Sequence, residues 1–221
     1  MKTALLIHGI SNQADDWDVP SKRYLNQYIN TISFRWDDLL NSTYETPYFQ
    51  IVNDVSKVVS FVAPKWKIAD SIMRWVLDRG GDLLTYNKVQ EKAFDRLDSY
   101  VSSVQGEVIL IAHSLGSVLA YEYIIKRRPS KVIKLITLGS PLDRNPVKKR
   151  VLSRVKSQTT LPIWWLNVWG DVDPVVCWIP NIKDNGAMQT FLPSEQRRIH
   201  AKHDLLKYIE SLKGADLGAY S

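Results

Sequence analysis

Cysteine is nearly missing from these 221 residues: Cys177 stands alone, so an internal disulfide is excluded. That fits a reducing compartment without requiring one, because many exported enzymes also lack disulfides. Long apolar runs are missing too. The greasiest stretch, Val58 to Leu77, is interrupted by Pro64, Lys65, Lys67, Asp70 and Arg74, far short of the roughly 20 apolar residues of a membrane span. Between Lys2 and His8-Gly9 lie only Thr3 to Ile7, too few for the apolar region of a secretory signal. A soluble, cytoplasmic protein is expected.

Acidic charge is in deficit, with 23 Asp and Glu against 29 Lys and Arg, a formal charge of +6. Part of the excess lies between Arg144 and Ser157, where Arg144, Lys148, Lys149, Arg150, Arg154 and Lys156 occur without an acid. A run of this kind ordinarily forms a solvated helix face. Contact with an anionic membrane surface through Arg144 to Lys156, or with an acidic substrate, is the sharper alternative; no nucleic-acid partner is expected.

What is present is a hydrophobic fraction of 45%, enough for one sizeable core in a chain of ordinary length for a single α/β domain. Thr3 to Ile7 and Thr31 to Trp36 read as short buried strands. Glu107 to Ala112 is almost continuously apolar, as a central parallel strand covered on both faces would be. Leu115 to Arg128 places Leu115, Val118, Leu119 and Ile125 at helical spacing, and Pro129 ends it. Further strands are expected at Lys131 to Leu138 and Leu161 to Trp169. A last helix is expected from about His203 to Leu212, with Gly214 as its stop.

Strands alternating with helices imply a doubly wound, mostly parallel sheet, since parallel neighbours need long crossovers. One domain, 1–221, is expected. The stretch from Asp37 to Gly106 is too long for one crossover helix and reads as a helical insert or cap. Within it Ala69, Ile72, Met73, Val76 and Leu77 form an apolar stripe, which suits either an ordinary packed helix or a lid.

Ser114 lies in Ala112-His113-Ser114-Leu115-Gly116, between the apolar strand and the helix. A serine on a sharp strand-to-helix turn needs small residues two before and two after it, here Ala112 and Gly116. The plainer role is a helix N-cap. A serine hydroxyl is a weak nucleophile, so an activated one needs a base, and the base a carboxylate to orient it.

Together with Leu5-Leu6-Ile7-His8-Gly9 and Leu138-Gly139-Ser140-Pro141-Leu142, these residues give the chain a resemblance to the α/β-hydrolase superfamily, in particular its serine esterase and lipase branch. The resemblance covers most of the chain. Ala112 replaces the more usual Gly, and the antiparallel strands that commonly precede the first parallel one have no counterpart, so the implied sheet is trimmed at the N-terminus. The resemblance implies Asp173, before Pro174-Val175-Val176, as the acid, with Asp171 the alternate; either Asp could instead cap a turn after Gly170. It implies His203, before Asp204-Leu205, as the base, with His200 the alternate. The implied oxyanion donors are the backbone N–H groups of Leu115 and Ile10, with Ser11 as fallback.

The expected activity is carboxylic ester hydrolysis through an acyl-enzyme on Ser114, acting on a small-molecule or lipid ester. Amide or thioester hydrolysis and acyl transfer would use the same residues, and a non-catalytic binding module would keep the fold alone. No metal or organic cofactor is implied. Ser140 is expected to shape the floor of the site. Trp164, Trp165, Trp169 and Trp178, with Trp66 and Trp75, are expected to pack the core or line an apolar pocket.

Overall fold

The computed structural model describes residues 1–9, 16–36, 38–39, 89–144, 147–173, 175–176 and 186–218. By its internal contacts the chain falls into two units, one made of Met1–Arg35 and Phe94–Ser221, the other of Trp36–Ala93. Most of the second unit lies outside the described residues, and with it the Ala69 to Leu77 stripe, Trp66 and Trp75.

The first unit is built on a six-stranded sheet: β1 (Lys2–Ile7), β2 (Asn30–Phe34), β3 (Glu107–His113), β4 (Val132–Leu138), β5 (Trp164–Gly170) and β6 (Glu195–Ile199). Their spatial order is β2-β1-β3-β4-β5-β6, and all five pairings are parallel. Five strands lie on the expected stretches, β4 inside its bounds and β1, β2, β3 and β5 each reaching one residue beyond them. β6, Glu-Gln-Arg-Arg-Ile, was not expected: it is an edge strand with little apolar content, so hydrophobic patterning gives no sign of it.

Helices cover both faces, which is why β1 and β3 are buried along almost their whole length. Alternation along the strands divides the apolar side chains. Ala4, Leu6, Ile109, Ile111, Ile136, Leu138, Leu166 and Val168 join one cluster with Leu25 at the end of α1 (Val19–Leu25) and with Tyr208 and Ile209 of the last helix. The opposite face is covered by α2 (Leu115–Arg127), buried from Leu115 through Ile124. Residues 94–103 are helical as well, and Phe94 lies against Tyr123 of α2 with ring centroids 5.9 Å apart.

The basic run forms α3 (Val147–Arg154), but it is not simply a solvated face. Arg154 makes two 3.1 Å hydrogen bonds to Glu122, a fully buried carboxylate on α2. Lys148 lies 3.5 Å from Asp143. The last helix, α4 (Leu205–Glu210), is shorter than expected: Asp204 caps it by accepting from the Lys207 N–H, leaving His203 in the loop before it. Gly214 does not stop this helix; it opens a 3-10 turn, Gly214–Leu217, that ends at Gly218 in the left-handed region. No helix among the described residues is long and apolar enough to cross a membrane.

Strand order reverses its direction of growth at β1, so the crevice between the C-terminal ends of β1 and β3 is the topological switch point, where open parallel sheets bind ligands. His8-Gly9 leaves β1 there and Ser114 leaves β3.

Candidate active site

Ser114 joins β3 to α2 with φ 53° and ψ −129°, a conformation costly for any residue with a Cβ. It occupies the N-cap position, yet its hydroxyl makes no capping bond. The N-cap role therefore does not account for the serine. Close packing holds the turn. A Cβ on Gly116 would come within 2.3 Å of the His8 carbonyl oxygen, and one on Gly9 within 2.6 Å of Ser114 Cβ. Both small residues are required by the approach of the β1 loop to the start of α2.

A chain of hydroxyls fixes the turn from the other side. Ser117 Oγ donates to the Ser114 carbonyl and lies 2.6 Å from Ser140 Oγ, which accepts from the Leu142 N–H. With one proton per hydroxyl, Ser140 must donate to Ser117. Ser140, after β4, thus braces the floor beneath Ser114.

The acid loop follows β5 and carries both candidate carboxylates. Asp173 is fully buried. Its Oδ1 accepts from the Val175 N–H at 2.8 Å, and its Oδ2 accepts from His203 Nδ1 at 2.8 Å. Tyr208 Oη of α4 donates to the same Oδ2 at 2.5 Å and accepts from the Gly170 N–H at 2.8 Å. Asp173 therefore makes the expected turn contact and a second one to His203. The alternates pair with each other: Asp171 Oδ1 meets His200 Nδ1 at 2.9 Å, and Arg198 holds Asp171 Oδ2 at 3.0 Å. Partial burial opposes the ionised Asp171, but the bonds from Arg198 and His200 hold its carboxyl below the usual range. This pair is open to solvent, with the His200 side chain 82% exposed against 16% for His203.

His203 is oriented from two directions. Its ring stacks on that of His113, the residue before Ser114, at 4.4 Å between centroids and 28° between planes. Gly139, after β4, lies beneath the pair: its φ is +55°, and a Cβ there would come within 2.8 Å of Asp173 Oδ2 and 3.1 Å of His203 Nδ1. With Nδ1 bonded to the carboxylate, Nε2 is buried and has no hydrogen-bond partner among the described residues. A histidine whose Nδ1–H is held by a carboxylate presents an Nε2 lone pair able to take a proton.

His8 is buried, its Nδ1 donates to the Gly9 carbonyl, and its ring meets Trp17 edge-on at 4.8 Å, so it braces the β1 loop. Leu115 N is the first amide of α2, one of those with no intrahelical partner. Ile10 and Ser11 lie outside the described residues, as do Pro174, Cys177 and Trp178. Trp165 and Trp169 are core residues; Trp165 Nε1 donates to Thr137 Oγ1 at 3.0 Å. Beside the acid loop a cavity of about 480 Å³ is lined by Ser140, Asp143, Arg144, Lys148, Val176 and residues 186–190.

Sequence reasoning missed Tyr208, which reads as one apolar position of an amphipathic helix. Its spacing five residues after His203 gives no sign that its hydroxyl reaches Asp173. Ser117 was missed for the same reason.

These features define an α/β-hydrolase fold with a strained serine at its switch point, and comparison with known proteins agrees. The family model for serine hydrolases matches residues 66–176, half of the chain, and the chain belongs to that family. Among solved structures it is similar to a protein described as a YdeN-like hydrolase from Pectobacterium atrosepticum (13% identity, TM-score 0.51, 95% of this chain and 91% of that one). It is also similar to a hydrolase from Agrobacterium vitis (11%, TM-score 0.55, 100% and 88%). A third is the N-formylmaleamic acid deformylase of Pseudomonas putida (13%, TM-score 0.50, 99% and 90%). No curated protein sequence matches the chain.

Proposed function

We propose that the protein hydrolyses a carboxylic ester through an acyl-enzyme on Ser114, with His203 as general base and acid and Asp173 as the carboxylate that orients it. The observation that carries this reading is the Asp173–His203 pair, its carboxylate fully buried, stacked through His203 on the residue next to Ser114 and leaving Nε2 without a hydrogen-bond partner among the described residues.

In the first half-reaction Ser114 Oγ bonds to the carbonyl carbon while its proton passes to His203 Nε2. The tetrahedral oxyanion accepts from the Leu115 N–H and from an amide of the loop after Gly9, for which Ile10 is the candidate and Ser11 the fallback. Collapse breaks the ester C–O bond, and His203 returns the proton to the departing alkoxide. Water then attacks the acyl carbon, again losing a proton to Nε2. Breaking of the Ser114–acyl bond releases the acid, and His203 returns its proton to Ser114 Oγ, restoring the serine.

An amide substrate would follow the same steps with an amine as the leaving group, and one structural neighbour is an N-formylmaleamic acid deformylase. A fluorophosphonate probe should label wild-type protein and fail to label folded Ser114→Ala. Hydrolysis of p-nitrophenyl esters of graded acyl length, set beside the matching anilides, separates esterase from amidase. Absence of both labelling and turnover in folded protein would leave a binding module on a hydrolase scaffold.

A further inference from the structure

We propose that Tyr208 is a positioning residue for the proposed reaction, its hydroxyl clamping Asp173 in the orientation that holds His203 and sharing with His203 the charge on one carboxylate oxygen. The proposal rests on the roles given above to Asp173 and His203.

Tyr208 is fully buried and belongs to the cluster between the sheet and α4. Its ring alone needs no further explanation, because a phenylalanine would fill the same volume. The hydroxyl does need one. Its oxygen accepts the Gly170 N–H at 2.8 Å, and its single proton is directed at Asp173 Oδ2 at 2.5 Å. Oδ2 also receives His203 Nδ1, while Oδ1 receives the Val175 N–H. Three donors therefore hold a carboxylate with no solvent contact, and the plane of that carboxylate is fixed.

Tyr208 also lies on the helix that begins just after His203. One phenol thus joins the end of β5, the acid loop and the helix that follows the histidine loop. Asp173 and His203 come from loops 30 residues apart, and this link supports their separation beside the direct bond and the His113 stack. The bond has an electrostatic side. A phenol donating to Oδ2 draws charge from the oxygen that must stabilise the imidazolium formed when Ser114 is deprotonated. Removal of the hydroxyl leaves that charge to His203 alone. A merely structural tyrosine has no such effect.

For Tyr208→Phe the expected result is a fall in kcat of about tenfold with KM changed less than twofold. The acid limb of the kcat/KM profile should move to higher pH by about half a unit, and the downfield proton resonance of His203 Nδ1–H should shift. Unchanged kcat and an unmoved limb in folded protein overturn the proposal. If Tyr208→Phe does not fold, 3-fluorotyrosine placed at 208 keeps the volume and makes a stronger donor. The limb should then move to lower pH, and no movement overturns the proposal. Failure of the parent reading is distinct: neither variant nor wild type then labels at Ser114 or turns over ester. The Nδ1–H resonance still reads the clamp in that case, and an identical position in wild type and Tyr208→Phe overturns it.

Discussion

At the scale of single residues the acid loop presents two aspartates and the following loop two histidines, and geometry sorts them into separate pairs. Asp173 with His203 is enclosed, whereas Asp171 with His200 and Arg198 faces solvent. An Asp–His bond directs proton transfer only where water does not compete for both partners. Asp173→Asn is expected to lower kcat by about 10³- to 10⁴-fold, as loss of the orienting carboxylate does in serine hydrolases generally. Asp171→Asn and His200→Gln should stay within about twofold of wild type, the usual scale for exposed pairs. Steady-state kinetics on one p-nitrophenyl ester checks all three. Gly139→Ala tests the floor under the pair. Its φ of +55° disfavours a side chain, and the added methyl would press on Asp173 Oδ2 and His203 Nδ1. A loss of about 100-fold in kcat is expected for a misplacement of this kind.

Among the secondary-structure elements, the pairing of α2 with α3 turns on one ion pair. Glu122 has no solvent exposure, and both of its oxygens are bonded to Arg154. Arg154→Met would take two charge-assisted hydrogen bonds from that buried carboxylate, at a cost of about 2–3 kcal/mol. Urea denaturation should show this loss, and adding Glu122→Met should recover most of it. The basic run was legible as a run of charge, but not which cations face inward. That depends on Glu122, 32 residues earlier, coming to lie beneath Arg154.

The molecule as a whole carries a second buried ionic tie at the far edge of its sheet, where Arg197 of β6 grips Asp216 at 2.7 and 2.9 Å. Burial opposes the ionised Asp216, but the bonds from Arg197 and from the Lys213 amide hold its carboxyl below the ordinary value of 3.8. A depressed carboxylate contributes stability above its unfolded-state value and loses that contribution as pH falls through the folded one. Asp216→Asn should therefore cost about 2 kcal/mol at neutral pH. Its stability should also fall less steeply than that of wild type below about pH 4. Denaturation midpoints measured at several pH values test both.

The sequence by itself determined the alternation of strands and helices and the strand-serine-helix turn. Burial on both faces forces an apolar strand, and a tight turn forces small residues at Ala112 and Gly116, so both leave local marks. Through the family resemblance it also narrowed the candidates for acid and base to two residues each. Only tertiary structure decided which partners meet, because Asp171 and Asp173 differ locally by little more than one side of a turn. Burial of one beside Gly139 and Tyr208 distinguishes them in space. β6, the inward turn of Arg154 and the reach of Tyr208 to Asp173 were equally beyond the sequence. Each rests on a contact with a distant segment, and hydrogen bonds of that kind leave no periodic trace in the residues that make them.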